Sequence, residues 1–427
     1  MTDLVIRGGT IVDQSGERRA DVLVRDGVIV AIGDSLDVST TDSVIDAGGC
    51  VVAPGLVDLH SHLRQPGKEE AETVETGSRA AALGGYTAIL AMPNTTPAID
   101  CAGSVREVQA LARTALCDVE VSGAITVGRA GERLSPMAEM TALGVKIFTD
   151  DGMGLQDALL MRRALEYASG LGVTLAQHCE VTVLSEGTCM HEGEWSSRLG
   201  LAGQPSEAEE LMVMRDIALS RLTGGRVHFQ HLSTAGSVAM VEAAKAGGLS
   251  VTAEAAPHHF TLTDACCESY DAVYKVHPPL RTEFDRRAIV EGLRSGAIDA
   301  IATDHAPHLL HDKERPFDQA APGMLGLEYA LALAISGLGL PIGEILALLS
   351  WRPARIAGID DVHGGPVAEG RPANLCVIDP TATWTIDGSG GASRSSNVPY
   401  VGRTVTGRVR HTILRGEAVV LDGAAQR

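Results

Sequence analysis

Hydrophobic and polar positions follow two different patterns along this chain. Over roughly the first fifty residues they alternate in short runs, Leu4–Val12, Asp21–Val24, Val28–Ile32 and Ser43–Asp46, separated by glycine turns. Period-two alternation marks strands with one buried face. Arg25-Asp26-Gly27, lying between two such runs, reads as a hairpin-type turn. The last stretch behaves alike: Ala373–Ile378, Arg403–Val409 and His411–Val420 are strand-like, with Arg415-Gly416 as the final turn. In the middle, apolar runs at Leu56–His62, Tyr86–Asn94, Val119–Val127, Val145–Asp151, Thr174–Glu180, Arg226–Ser233, Leu249–Pro257 and Ala300–Pro307 are spaced by helical patterns. Examples of the latter are Ala71–Leu83, Ser104–Thr114, Gln156–Ser169, Pro205–Leu222 and Gly236–Ala246.

Eight strand–helix alternations predict an α/β fold, a (β/α)8 TIM-type barrel. A doubly wound open sheet is the alternative, and the lack of a GxGxxG-type turn after the first strand weighs against it. Two β-rich ends around such a middle predict one small β-sandwich assembled from both termini, rather than two unrelated flaps. The expected division is residues 1–53 and 365–427 for the sandwich and 54–364 for the barrel.

Composition narrows the picture. Only 3% of residues are aromatic, so the core must be built from Ala, Val, Leu and Ile, as barrel interiors are. A formal net charge of −19 argues against nucleic acid or an anionic membrane as partner. It also means that an anionic substrate needs a local cation. No stretch approaches the ~18 apolar residues of a membrane span, and the chain opens into a strand-like run instead of a signal segment. The eight cysteines show no CxxC pair, which suits buried, reduced thiols in a soluble cytoplasmic protein.

Candidate chemistry gathers at the C-terminal ends of the predicted strands, the face on which such barrels build active sites. The first strand ends in His60-Ser61-His62, whose two imidazoles share a face. The fourth ends in Asp150-Asp151, the fifth at His178, the sixth at His231 and the eighth at Asp304. Nitrogen and carboxylate donors without thiolates suit Zn2+, with Mn2+ or Co2+ as replacements. The set exceeds what one tetrahedral ion requires, so two ions sharing a carboxylate are expected. Such a centre activates water against an unreactive amide, and a carboxylate must then carry the proton to the leaving nitrogen.

The run Pro54-Gly55-Leu56-Val57-Asp58-Leu59-His60-Ser61-His62-Leu63-Arg64-Gln65-Pro66-Gly67 resembles the amidohydrolase superfamily, and its HxHLRxPG core resembles the bacterial type I dihydroorotases. The resemblance continues through Met92-Pro93-Asn94-Thr95, Phe148-Thr149-Asp150-Asp151-Gly152, His178-Cys179-Glu180, Gln230-His231-Leu232-Ser233 and Thr303-Asp304-His305-Ala306-Pro307-His308. It implies the barrel and the sandwich. It implies one zinc on His60, His62 and Asp304, a second on His178 and His231, and Asp151 bridging them. Asp304 would also be the general acid/base. His62, Arg64 and Asn94 would contact substrate, and His308 with Pro322-Gly323 would close over it. His277 stands where that family has Asn before Pro-Pro-Leu-Arg, and it can still form one hydrogen bond to the ring. The implied reaction is the reversible closure of N-carbamoyl-L-aspartate to L-dihydroorotate, a step of pyrimidine synthesis. The implied partners are a second copy of the chain or an aspartate transcarbamoylase.

Other residues have plainer readings. Lys146 offers an alternative bridge, as a carboxylated lysine, but reads better as a structural residue at the base of strand four. His258-His259 read as packing behind the ligands, His228 as facing the helices, and Cys179 as an inert thiol. His191, His311, His363 and His411 lie outside strand ends and are expected to be solvated or local. The loop Leu309–Gly326 follows a catalytic strand and is a candidate lid. The rival functions are another cyclic amidase (dihydropyrimidinase, hydantoinase or allantoinase) and a non-catalytic scaffold. A scaffold would have lost ligands, and here every ligand position is filled.

Overall fold

The computed structural model describes residues 3–36, 43–388 and 391–426. Eight parallel strands run through its middle: β1 (Leu56–Ser61), β2 (Tyr86–Ala91), β3 (Asp118–Val121), β4 (Ile147–Phe148), β5 (Thr174–Gln177), β6 (Val227–Phe229), β7 (Val251–Ala255) and β8 (Ala300–Ile301). They form two arcs, β3-β2-β1 and β4-β5-β6-β7-β8. Isolated parallel bridges join the arcs at both seams, Gly123 with Phe148 and Ser61 with His305. Hydrogen bonds from Gly123 N to Ile147 O (3.1 Å) and from His62 N to His305 O (2.9 Å) cross the same seams. At the β8–β1 seam a side chain adds to the join. Buried Asp58 accepts from Thr303 N (2.7 Å), Thr303 Oγ1 (2.8 Å) and Ser61 Oγ (2.5 Å). Burial nevertheless lifts its carboxyl to about 6.

A helix follows each strand. Four start under a side-chain cap from Thr73, Asp157, Thr234 or Thr282, which satisfies an otherwise orphaned amide. Two of these helices, Ala158–Leu171 and Glu283–Ser295, stop at left-handed Gly172 and Gly296, a backbone state that glycine adopts without a Cβ clash. The core between helices and strands is largely aliphatic, as the aromatic-poor composition requires.

Both termini build the second module. One sheet orders Val28–Gly33, Asp21–Arg25, Leu4–Arg7 and Ser43–Asp46. The other sets Thr404–Leu414, Leu375–Thr385, Val51–Pro54 and Thr10–Asp13 side by side, so C-terminal strands pair directly onto N-terminal ones within one sheet. Ile6, Ile11, Val22, Ile29, Val52, Leu375 and Ile413 share the core of these sheets. Strands Leu375–Thr385 and Thr404–Leu414 run on past it, and Val405 and Val409 join the core of the parallel-strand module. The chain between these two strands makes an excursion over that module, where Ser395 Oγ donates to Ala71 O (2.8 Å).

The observed boundaries correct several expectations. Leu4–Val12 is two strands in different sheets, divided at Gly8, whose φ is +70°. Thr404–Leu414 is one strand where two were expected. The parallel strands stop short of the functional residues: β4 has two residues, and β8 ends at Ile301, before Asp304. Beyond those ends backbone donors turn to side chains, as Thr303 N does to Asp58, and His231 and Asp304 take positive φ (30° and 46°). Among the described residues no helix is long and apolar enough to cross a membrane, and all eight cysteines are free.

Candidate active site

The end of β1, with His60, and the turns after β1, β4, β5, β6 and β8 bring His60, His62, Asp151, His178, His231 and Asp304 together, all buried. Around Asp151 they form two metal-competent groups that share this aspartate, one with His60 and His62, the other with His178 and His231. His60 Nε2 lies 3.4 Å from Asp151 Oδ1 and 3.5 Å from Asp304 Oδ1, and His62 Nε2 lies 3.2 Å from Asp304 Oδ1. His178 Nδ1 and His231 Nε2 stand 3.5 and 3.6 Å from Asp151 Oδ1. Two donors at about 2.0–2.1 Å from a tetrahedral ion are roughly 3.3 Å apart, so these separations suit neighbours around a cation. Except for the His62–Asp304 hydrogen bond at 3.2 Å they are long for hydrogen bonds, and His60 Nε2 is buried without a hydrogen-bond partner. The donor set therefore fits metal ions.

The electrostatics agree. Burial works against charge on Asp304, but a hydrogen bond to His62 and the nearby His60 and His231 outweigh it, holding the carboxyl below its usual range. Burial likewise disfavours a charged His178, yet Asp151 and Glu180 push it up to about 10. A buried site that holds its acids ionised and favours cations will attract a metal ion.

Two further carboxylates, unrecognised in the sequence, stand behind the histidines. Glu254 on β7 meets His60 Nδ1 at 3.2 Å and His228 Nε2 at 3.0 Å, and His228 Nδ1 meets Thr252 Oγ1 at 2.8 Å. A proton held on His60 Nδ1 by Glu254 leaves Nε2 free as a donor to metal. Glu180 lies 3.7 Å from His178 Nε2 and accepts from Ser185 Oγ (2.5 Å) and Gln204 Nε2 (3.1 Å). A charged residue inside the apolar run of β7 was the available signal for Glu254, because such residues are buried only when paired.

Above the donors opens a cavity of about 190 Å³. Its wall carries His62, Arg64, Asn94 and His277, together with His308, Pro322 and Gly323 from the segment after β8, so every expected substrate contact is present. Asn94 Oδ1 accepts from His62 Nδ1 (2.9 Å), and its Nδ2 reaches Asp151 Oδ2 at 3.4 Å. Arg64 Nε donates to Pro307 O (3.1 Å), and its Nη2 lies 3.3 Å from His308 Nε2. Burial lowers the guanidinium to about 10, which leaves it a cation at neutral pH. His308 Nε2 also approaches Pro322 O at 2.8 Å. His277 pairs with Glu180. A larger cleft of about 630 Å³, beside Gln109, Asp118 and Arg415, lies away from these groups.

The geometry sorts the remaining candidates. Asp150 turns aside to Thr126 Oγ1 (2.5 Å) and Thr126 N (3.1 Å). Lys146 is exposed and bonds Gly358 O, away from the donors. His258 Nε2 comes within 3.9 Å of Asp304 Oδ2, whereas His259 bonds Pro278 O. His228 does not face the helices. β6 ends at Phe229, so alternation counted back from His231 gives the wrong parity. His191, His363 and His411 are buried rather than solvated; His363, for instance, bridges Thr87 and Asp118. Cys179 is buried, and burial raises its thiol well above the usual range.

Solved structures share this arrangement of modules. The L-hydantoinase (dihydropyrimidinase) from Arthrobacter aurescens matches with a TM-score of 0.90 at 25% identity, covering 100% of this chain and 98% of its own. The dihydropyrimidinase from Brevibacillus agri NCHU1002 matches with a TM-score of 0.87 at 25% identity, over 99% and 96%. Fold and site together define a hydrolase acting on cyclic amides. The Dihydro-orotase-like family model matches residues 49–237. The dihydroorotase of Mycobacterium leprae is 50% identical over 411 residues, covering 93% of this chain and 94% of its own, and that of Streptomyces coelicolor is 47% identical over 431 residues, 99% of each. The chain belongs to the dihydroorotase family.

Proposed function

We propose that the chain is a zinc-dependent dihydroorotase, interconverting N-carbamoyl-L-aspartate and L-dihydroorotate in pyrimidine biosynthesis. The observation that carries this reading is the convergence of the metal-competent donors and every expected substrate contact on one cavity. In this reading β1 to β8 close into a (β/α)8 barrel within residues 54–364, supported by the bridges at both seams. Residues 1–53 and 365–427 supply the sandwich. His60, His62 and Asp304 would hold one Zn2+, and His178 and His231 a second, with Asp151 available to both.

Bound metal lowers the pKa of water towards ~7 and polarises a carbonyl oxygen. The protein's own groups do the rest. Asp304 takes the proton of the attacking water and delivers it to the departing ring nitrogen. Arg64 and Asn94 hold the substrate carboxylate, the guanidinium fork being suited to two oxygens. His277, tied to Glu180, offers its ring at the cavity mouth, and His308 with Pro322 and Gly323 forms the opposite wall.

Hydantoinase or dihydropyrimidinase activity is the second reading, favoured by the solved structures that share the fold. A panel of dihydroorotate, dihydrouracil, hydantoin and allantoin, offered to zinc-loaded protein, separates the two. Dihydroorotate should lead dihydrouracil by roughly 10³-fold in kcat/KM, because a site built for a charged group is left unpaired by the truncated ring. Preference for another ring would overturn the dihydroorotase assignment and leave the cyclic-amide hydrolase standing.

A further inference from the structure

We infer that Asn397, carried on the excursion between strands Leu375–Thr385 and Thr404–Leu414, is a positioning residue of the substrate site. It sets the wall formed by residues 306–323 and, through that wall, the Arg64 guanidinium. Asn397 lies 74 residues beyond the end of that wall in sequence and in the stretch expected to serve only the sandwich.

The contacts are specific. Asn397 Nδ2 donates to Ala306 O (2.9 Å) and to Gly323 O (3.0 Å), which belong to the two legs of the same wall segment. Its Oδ1 accepts from His308 N (3.2 Å), and its own carbonyl accepts from Leu325 N (3.1 Å). The side chain is 5% exposed, so these groups have little recourse to water. Only a side-chain amide offers two N–H donors and an acceptor at this reach. Beyond this staple, Lys313 Nζ donates to Ala321 O (2.8 Å), Gly323 O (3.1 Å) and Lys275 O (3.2 Å), tying the tip of the segment to the stretch just before His277.

The link to chemistry runs through the next two residues. Ala306 is followed by Pro307, whose carbonyl holds Arg64 Nε, and by His308, whose Nε2 faces Arg64 Nη2. Arg64 sits at φ +60° on the turn after β1 and has no regular strand partner to orient it. Its direction therefore depends on where Pro307 and His308 stand. The excursion is itself anchored: Ala392 N donates to Glu328 Oε1 (2.9 Å), Ser393 bonds Glu72, and Ser395 bonds Ala71 O. The C-terminal part of the chain thus completes the substrate wall while providing none of the metal donors.

This inference rests on the reading of Arg64 as a contact to the substrate carboxylate, and its test keeps the two apart. Full-length, zinc-loaded Asn397→Ala, Asn397→Asp and Arg64→Met are compared with the parent for KM and kcat on dihydroorotate, kcat/KM on dihydrouracil, and zinc content. Asn397→Ala should raise KM for dihydroorotate about tenfold, the scale of a lost buried hydrogen bond or two. Zinc content and turnover of the uncharged ring should hold. Asn397→Asp retains the acceptor for His308 N but turns a carboxylate towards two carbonyls, so its KM should rise at least as far. It also serves should the alanine variant not fold. Unchanged KM in an Asn397 variant, beside a raised KM in Arg64→Met, overturns the inference alone. Equal loss on both rings with loss of zinc assigns Asn397 to general stability and also overturns it. An unaffected Arg64→Met overturns the carboxylate reading beneath it.

Discussion

The floor and the mouth of the cavity are built by different means. Floor groups hang from strand ends spread around both arcs and are fully buried, and two of the histidines have a carboxylate behind them, Glu254 for His60 and Glu180 for His178. Mouth groups come from turns. Arg64, His277 and His308 are held by backbone carbonyls, one amide and a single ion pair, and the His277 side chain remains 35% exposed. A floor of mutually compensating charges resists piecemeal change, because removing one partner leaves another buried and unpaired. A mouth held by individual hydrogen bonds can be retuned one contact at a time. The proposed function therefore assigns metal chemistry to the floor and choice of ring to the mouth.

The largest expected effect tests the floor. Asp304→Asn should retain the fold by circular dichroism and lower kcat by about 10²–10⁴-fold, the range for a lost general acid/base. A kcat near that of the parent would remove Asp304 from the proton-carrying role. At the mouth, Arg64→Met should reduce kcat/KM for dihydroorotate by roughly 10³-fold, as expected when a charged group loses its charged partner. Zinc measured by elemental analysis should stay at the parental level, and a loss of zinc here would erase the distinction between the two regions.

Behind the floor, Glu254→Gln keeps the shape but loses the carboxylate that fixes the proton on His60. Zinc affinity in a competitive chelator titration should weaken by about 10–100-fold, as outer partners of metal ligands usually show. Unchanged affinity would make Glu254 a mere hydrogen-bond partner for His228. The smallest effect lies under the excursion. Burial lifts the Glu328 carboxyl to about 7, with the Ala392 amide pulling the other way. Below about pH 4 this group is neutral both folded and unfolded. As pH rises towards 7 and beyond, the unfolded chain ionises first and the folded chain carries the cost of a buried charge, so stability falls across that window. Glu328→Gln should flatten the fall and raise stability at pH 8 by about 1–2 kcal/mol relative to the parent. Parallel pH profiles of denaturant midpoints for parent and variant would show that Glu328 does not titrate there.

The same contrast decides what the sequence could show. Strand–helix alternation locates all eight parallel strands, and His60, His62, His178, His231 and Asp304 follow from their position at strand ends. Where parity was used beyond a strand end it failed: His228 lies under the site because the chain leaves extended geometry before His231. Asp151 over Asp150 was legible only through family resemblance, since adjacent acids carry no local signal as to which points inward. Asn397 and Glu328 were invisible for another reason. Their partners are hundreds of chain atoms away, and a lone Asn in a polar stretch looks like any turn residue.

The join at β8 and β1 has a consequence for how the molecule breathes. His60 and His62 stand on one side of it and Asp304 on the other, while the join itself comprises one bridge, one amide bond and the Asp58 cluster. On the proposed zinc reading, local opening at this joint would also undo the first metal site, so amide exchange at Thr303 and release of zinc should share a rate. Metal bound across the joint would act as a clasp, and the protein without metal should open there first.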